Sequence, residues 1–249
     1  MRDQEQLFEQ LVVMLRAEFG DDLLGVLATG SRIHGTPGPT SDLDVHVLIA
    51  QPRRQRRNII LDGVEVEMFV NPPFQIRRYF SSRGVDEHMF TFGHAIYDPQ
   101  GVVAELQAEA QARWQAGPPE ISDAWLHRYG PADLLRDLED VADDEATANM
   151  LIARIVEQLV ASHYQLNRRW SAKPKRLLAD LGGWDAAAAQ LARAALSCGS
   201  LDARRVALDQ LSAHVLAPIG GLMPLEWRNE WEELQPYKEP RTENQKRKT

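Results

Sequence analysis

A single cysteine, Cys198, stands in 249 residues, which excludes an internal disulfide framework and any zinc site built on cysteine pairs. Reducing surroundings suit such a chain. Long apolar runs are missing too: nothing approaches the roughly 18 consecutive apolar residues of a membrane span. The opening MRDQEQLFEQ carries the charges of a water-facing helix rather than the apolar centre of a signal peptide. A cytoplasmic protein without a membrane partner is expected. A basic surplus is also absent, since 28 Lys and Arg face 36 Asp and Glu for a net charge of -8. Proteins that grip nucleic acid usually carry a positive field, so a nucleic-acid partner is not expected and a small cationic substrate is favoured.

What is present is enough for one large domain or two ordinary ones, with 44% hydrophobic residues to build a core. Leu7, Phe8, Leu11, Val12, Met14, Leu15 and Phe19 recur at helical spacing, and Gly20 stands where a helix ends. LLGVLATG and DVHVLIA are short apolar runs, and NIIL-DG-VEVEMFV reads as two strands joined by an Asp-Gly turn. A mixed sheet follows. QPRRQRRN, with Arg53, Arg54, Arg56 and Arg57, lies between the second and third strands and reads as a solvated loop or as one that faces a phosphate or substrate, since arginine pairs well with phosphate oxygens. Two short helical patterns follow Pro73, then AIYDPQG, then a helix from about Val102 to Trp114, before Gly117-Pro118-Pro119 breaks the chain. Beyond that break strand signals stop and long helical patterns run to about Val215. The expected organisation is a first domain over 1–117, a helical domain over 118–235 and a disordered tail over 236–249.

The chemistry concentrates between Gly25 and Ala50. Residues two apart in a strand share a face, so Asp42 and Asp44 project together while Leu43 and Val45 turn into packing. Glu65 and Glu67 share a face in the same way, opposite Val64, Val66 and Met68. Two neighbouring strands can thus bring three or four carboxylates together. Such close like charges raise one another's pKa unless a cation neutralises them, and an oxygen-only donor set suits magnesium, which completes its shell with water and substrate phosphates. Gly30 lets the backbone approach a phosphate, and Ser31 begins a turn whose amides and hydroxyl can hold its oxygens. A phosphate cradle one loop away from metal-binding carboxylates is what phosphoryl transfer needs.

Gly30-Ser31, a loop of ten residues (32–41), Asp42-Leu43-Asp44 on a strand and an acid on the next paired strand resemble the nucleotidyltransferase superfamily of DNA polymerase beta, kanamycin nucleotidyltransferase and the streptomycin/spectinomycin adenylyltransferases. The resemblance runs from about Leu7 to Trp114. It implies an α+β architecture, a nucleotidyltransferase-fold mixed sheet with flanking helices followed by an all-α bundle. It also implies that Gly30 and Ser31 bind the phosphates of ATP, that Asp42 and Asp44 bind magnesium, two ions in all, and that a third acid binds metal or acts as base. Glu67 takes that third place ahead of Glu65, because Met68-Phe69 and then Asn71-Pro72 follow it, and Ser41 resembles the family's hydroxyl residue at the strand entry.

The helical half is loosely similar to that of aminoglycoside adenylyltransferases. In HYQLNRRWSAKPKRLLADL, Lys175 matches a lysine that follows a proline and meets the triphosphate, with Lys173 as the alternative. Asp133, Asp137, Asp140 and Asp144, at helical steps, read as a solvated face or as an acidic wall for a polycation. Trp170, His163 and His214 read as structural. The implied activity is magnesium-dependent transfer of AMP from ATP to a hydroxyl of a small, aminoglycoside-like acceptor. Transfer to a protein or RNA, as in toxin-antitoxin nucleotidyltransferases, and a non-catalytic nucleotide-sensing module are the rival readings.

Overall fold

The computed structural model describes residues 2–35, 38, 41–80, 85–121, 123–141, 143–197, 199–228 and 231. Cys198 and the expected tail over 236–249 lie outside the described residues. Among those described, no helix is long and apolar enough to cross a membrane.

Helix α1 (Arg2–Phe19) leads through a short turn into strand β1 (Leu23–Thr29), which pairs antiparallel with β2 (Leu43–Ile49). The hairpin β3 (Gln55–Leu61) and β4 (Val64–Asn71) turns at Asp62 and Gly63, which take φ values of 48° and 75°, the two left-handed positions that an Asp-Gly turn supplies. Strand β4 then lies parallel to β2, so the order is β3-β4-β2-β1-β5 and the sheet is mixed. Strand β5 (His94–Tyr97) occupies the AIY segment that carried no strand signal. Four residues at a sheet edge are too few for an alternating pattern to show.

The central strands are buried on both faces. Leu43, Val45, Val47, Ile49, Val66, Met68 and Val70 pack with Leu7, Leu11 and Leu15 of α1. The other face, through Leu27 and Leu48, packs against α2 (Pro73–Tyr79), α3 (Val85–Phe92) and α4 (Val102–Ala116) by way of Ile76, Phe80, Phe90, Val103 and Leu106. Strand β3 begins at Gln55, so Arg56 and Arg57 belong to the sheet rather than to the loop expected for QPRRQRRN. The polar front half of this edge strand lacks the apolar alternation by which strands are read.

After α4 the chain is helical: α5 (Trp125–Asp140), α6 (Glu145–Leu166), α7 (Leu177–Trp184), α8 (Ala186–Ser197) and α9 (Leu201–Leu216). Leu159, Tyr164, Leu181, Ala192, Leu208 and Leu211 are among the residues of their shared core. The expected row of four aspartates does not form, because α5 ends at Asp140. Asp144 instead caps α6, its carboxylate accepting from the amides of Ala146 and Thr147. Asp133 pairs with Arg136 at 3.2 Å.

Candidate active site

Strand parity puts Asp42, Asp44 and His46 on the face of β2 that meets α3, and Glu65, Glu67, Phe69 and Asn71 on the matching face of β4. Register then decides which meet. Asp44 stands directly across from Glu67, and His46 from Phe69. Carboxylate oxygens of Asp42, Asp44 and Glu67 all lie within 4.8 Å of one another. Glu65, one row further out, is exposed and accepts a 2.7 Å hydrogen bond from the Asn58 amide.

Electrostatics register the crowding. Burial first, and then the Asp42 charge, push the Asp44 carboxyl up; Glu67 adds to this, while Lys173 and Arg56 oppose it. A divalent cation would relieve both causes. The three carboxylates supply hard oxygen donors without a cysteine or histidine among them, so the residues present fit magnesium.

The Gly30 turn closes over this cluster. Gly30 has φ +90°, and a Cβ at that position would lie 2.4 Å from Oδ2 of Asp44, so no other residue lets the backbone pass so near the acid. The carbonyl of Gly30 accepts from the amides of Ile33 and His34 at 3.2 and 3.3 Å. The Ser31 hydroxyl bonds to the Ser41 hydroxyl at 2.8 Å, and Arg32 Nε donates to the Ser41 carbonyl at 2.7 Å. The two ends of the ten-residue loop are thereby tied together beside Asp42.

Arg56, expected in a loop, comes to the acids on strand β3. Its guanidinium donates from Nε to Glu67 Oε1 at 2.7 Å, makes a second contact through its terminal nitrogen, and lies 4.8 Å from the Phe69 ring centre. The signal was available: counting equal steps back from the Asp62-Gly63 turn sets Arg56 opposite Phe69 and Asn58 opposite Glu67.

The helical half contributes a cation. The lysine whose charge acts on both Asp44 and His88 is Lys173, two residues before Lys175. Its segment is pinned to the end of α4. Arg168, at φ +51°, turns the chain sharply after α6 and donates to the carbonyl of Ala116 at 2.9 Å. Trp170 stacks on Trp114 with ring centres 5.6 Å apart and donates from Nε1 to the Trp114 carbonyl at 2.9 Å. Lys175 falls in the short turn Pro174–Arg176 that precedes α7. His88 and Phe92 of α3 pack on Trp114, and both approach His34 of the Gly30 turn. This row of rings connects the Gly30 turn to the helical half.

A second group of donors, His163, Asp185 and His214, also lies within 4.8 Å. Both imidazoles donate from Nε2 to Oδ2 of Asp185 at 2.7 Å, and Oδ1 accepts from the Ala188 amide at 2.9 Å. The carboxylate thus braces α6, α8 and α9, the structural place expected for the two histidines.

No protein-family profile and no curated protein sequence matches this chain. Among solved structures it is similar to a nucleotidyltransferase-like protein from Exiguobacterium sibiricum, with a TM-score of 0.52 and 14% identity, over 86% of this chain and 75% of that one. The fold is a nucleotidyltransferase fold. Within it, the acids on β2 and β4 and the Gly30 turn occupy one corner of the mixed sheet, and the charge of Lys173 from the helical half acts on Asp44 there.

Proposed function

We propose that this chain is a magnesium-dependent nucleotidyltransferase that moves AMP from ATP to a hydroxyl of a small molecule and releases pyrophosphate. The observation that carries the reading is the meeting of Asp42, Asp44 and Glu67 beneath a glycine turn too close to Asp44 to admit a side chain. In this reading Asp42, Asp44 and Glu67 hold magnesium, which when bound neutralises the negative charge that gathers on the phosphates. The Gly30 turn, with Ser31 held against Ser41, offers backbone amides to the phosphates. Lys173 takes the place first assigned to Lys175 and meets the triphosphate from the helical side, as its action on Asp44 supports.

The reaction forms a bond between the acceptor oxygen and the α-phosphorus and breaks the bond from that phosphorus to the oxygen bridging to the β-phosphate. Glu67 receives the acceptor's proton, and pyrophosphate leaves. Arg56, bonded to Glu67, fixes the orientation of that carboxylate. Most of the acceleration in such a site comes from positioning and charge neutralisation. An aminoglycoside-like polycation is the acceptor that the resemblance suggests and the net charge of -8 favours. Of the four aspartates that could meet a polycation, Asp133, Asp137 and Asp140 lie on α5, with Asp133 paired to Arg136, and Asp144 is spent on capping α6.

Asp42→Asn and Asp44→Asn test the reading. Calorimetry should show magnesium-dependent ATP binding by the native chain and its loss in either variant, with the fold retained by circular dichroism. Undiminished binding in both variants would refute the metal assignment.

A further inference from the structure

Beside the acid row lies a cavity of about 460 Å³ whose lining includes His46, Arg54, Arg56, Phe69, Tyr79 and Asp86. Its floor is set by register. His46, Phe69 and Arg56 stand in line across β2, β4 and β3, immediately next to the row of Asp44, Glu67 and Asn58. The cavity thus lies one row from Glu67, the carboxylate that its lining residue Arg56 holds.

The chemistry of the walls is specific. Phe69 stacks on His46 at 5.1 Å on one side and carries the Arg56 guanidinium on the other. His46 is 2% exposed and packs by Nε2 against the Met89 sulfur at 3.3 Å, while its Nδ1 has no partner among the described residues. A thioether accepts hydrogen bonds weakly and donates none, so the ring proton belongs on Nε2 and Nδ1 is left as a buried acceptor. Arg54 donates to the phenol oxygen of Tyr79 at 3.0 Å, a neutral partner. Arg56 is already paired with Glu67, so the guanidinium left to meet a ligand is that of Arg54, in a cavity whose lining also holds the acid Asp86. Guanidinium forks match carboxylate and phosphate oxygens.

We infer that this cavity holds the acceptor, and that the acceptor is a small hydroxylated anion: a ring or short polyol bearing a carboxylate or phosphate that reaches Arg54, with the reacting hydroxyl presented to Glu67. The inference rests on the proposed nucleotidyl transfer and departs from its polycationic form. The anion lies on the guanidinium side of Phe69, away from the triphosphate, so acceptor and nucleotide approach the acids from opposite sides.

The test uses the full chain with magnesium and α-labelled ATP, and three acceptor sets: hydroxycarboxylic acids with hexose 6-phosphates, the corresponding neutral sugars, and aminocyclitol polycations. Mass spectrometry should find AMP adducts in the anionic set alone, and the carboxylate and phosphate arms separate the two sources of charge. Arg54→Glu, at an exposed position, should lower kcat/KM for the productive anion by about 30-fold or more and leave magnesium-ATP affinity within about twofold. Adducts confined to the polycations or neutral sugars, or none from the anions while the native chain binds magnesium-ATP, would overturn the charge assignment. Weakened ATP binding in Arg54→Glu would make the cavity part of the nucleotide site and overturn it equally. Failure of the underlying reading looks different: the native chain would not bind magnesium-ATP, or Asp44→Asn would bind it unchanged.

Discussion

Gly30→Ala is the sharpest perturbation that the site offers, because one methyl group acts through two separable effects. At φ +90° a side chain is strained, at about 1 to 2 kcal/mol for a left-handed residue. The new Cβ would also meet Asp44 Oδ2 at 2.4 Å and Cγ at 3.3 Å. Restoring ordinary contact requires a shift of roughly 1 Å by the carboxylate or the turn, and overpacking of this kind costs about 1 to 3 kcal/mol. The expected loss of stability is then about 2 to 5 kcal/mol. A shift of about 1 Å by Asp44 would spoil the proposed metal site, so the rise in Tm that magnesium-ATP is expected to give the native chain should be lost in the variant. Gly63→Ala supplies the control. Gly63 has φ +75° but nothing within 4 Å of an added Cβ, so that variant carries the backbone strain alone, at about 1 to 2 kcal/mol, and should keep the full ligand-induced rise in Tm. Thermal unfolding of the three proteins with and without magnesium-ATP is sufficient. Equal stability losses in the two variants, with the ligand response intact in both, would show that the close approach of Gly30 to Asp44 does not shape the site.

Glu67→Gln should slow transfer by about 100-fold, the range for losing a general base, whereas Glu65→Gln, whose carboxylate meets Asn58 in the outer row, should change it little; the opposite order in single-turnover assays would move the role to Glu65. Lys173→Ala should weaken ATP binding by about 10- to 100-fold, matching about 1 to 3 kcal/mol for a charge-assisted contact, and Lys175→Ala should bind as the native chain does; calorimetry that ranks them the other way would return the role to Lys175. Although burial pushes Asp185 up, the Ala188 amide and the imidazoles of His214 and His163 outweigh it and hold the group down at about 2, below its ordinary 3.8. A depressed carboxylate contributes stability above its unfolded pKa and loses it as pH falls toward the folded value. The native chain's advantage over Asp185→Asn in urea unfolding should therefore be full near pH 5, shrink below about 3.8 and vanish near 2; an advantage independent of pH across that range would contradict the charged brace.

Period-two spacing was sufficient to place Asp42 with Asp44 and Glu65 with Glu67, and to turn Leu43, Val45, Val66 and Met68 toward α1, because side-chain direction in a strand is a local property. The Asp62-Gly63 turn and the apolar runs likewise fixed the hairpin and the mixed sheet, and the exhaustion of strand signals after Gly117 marked the helical half. Between Glu65 and Glu67 spacing did not choose, and it was the resemblance that favoured Glu67. Their parity is identical, and only the parallel register of β4 on β2, a pairing across more than one strand of sequence, sets Glu67 rather than Glu65 opposite Asp44. Arg56 escaped for the related reason that a polar edge strand has no apolar alternation, so its place beside Glu67 exists only once β3 is paired. Lys173 and Lys175 are two similar lysines either side of one proline in the sequence. What separates them is the sharp turn at Arg168 and the stacking of Trp170 on Trp114, contacts between distant parts of the chain that deliver one ammonium group toward Asp44. Local spacing thus determined which carboxylates could share a face, and long-range packing decided which charges they meet.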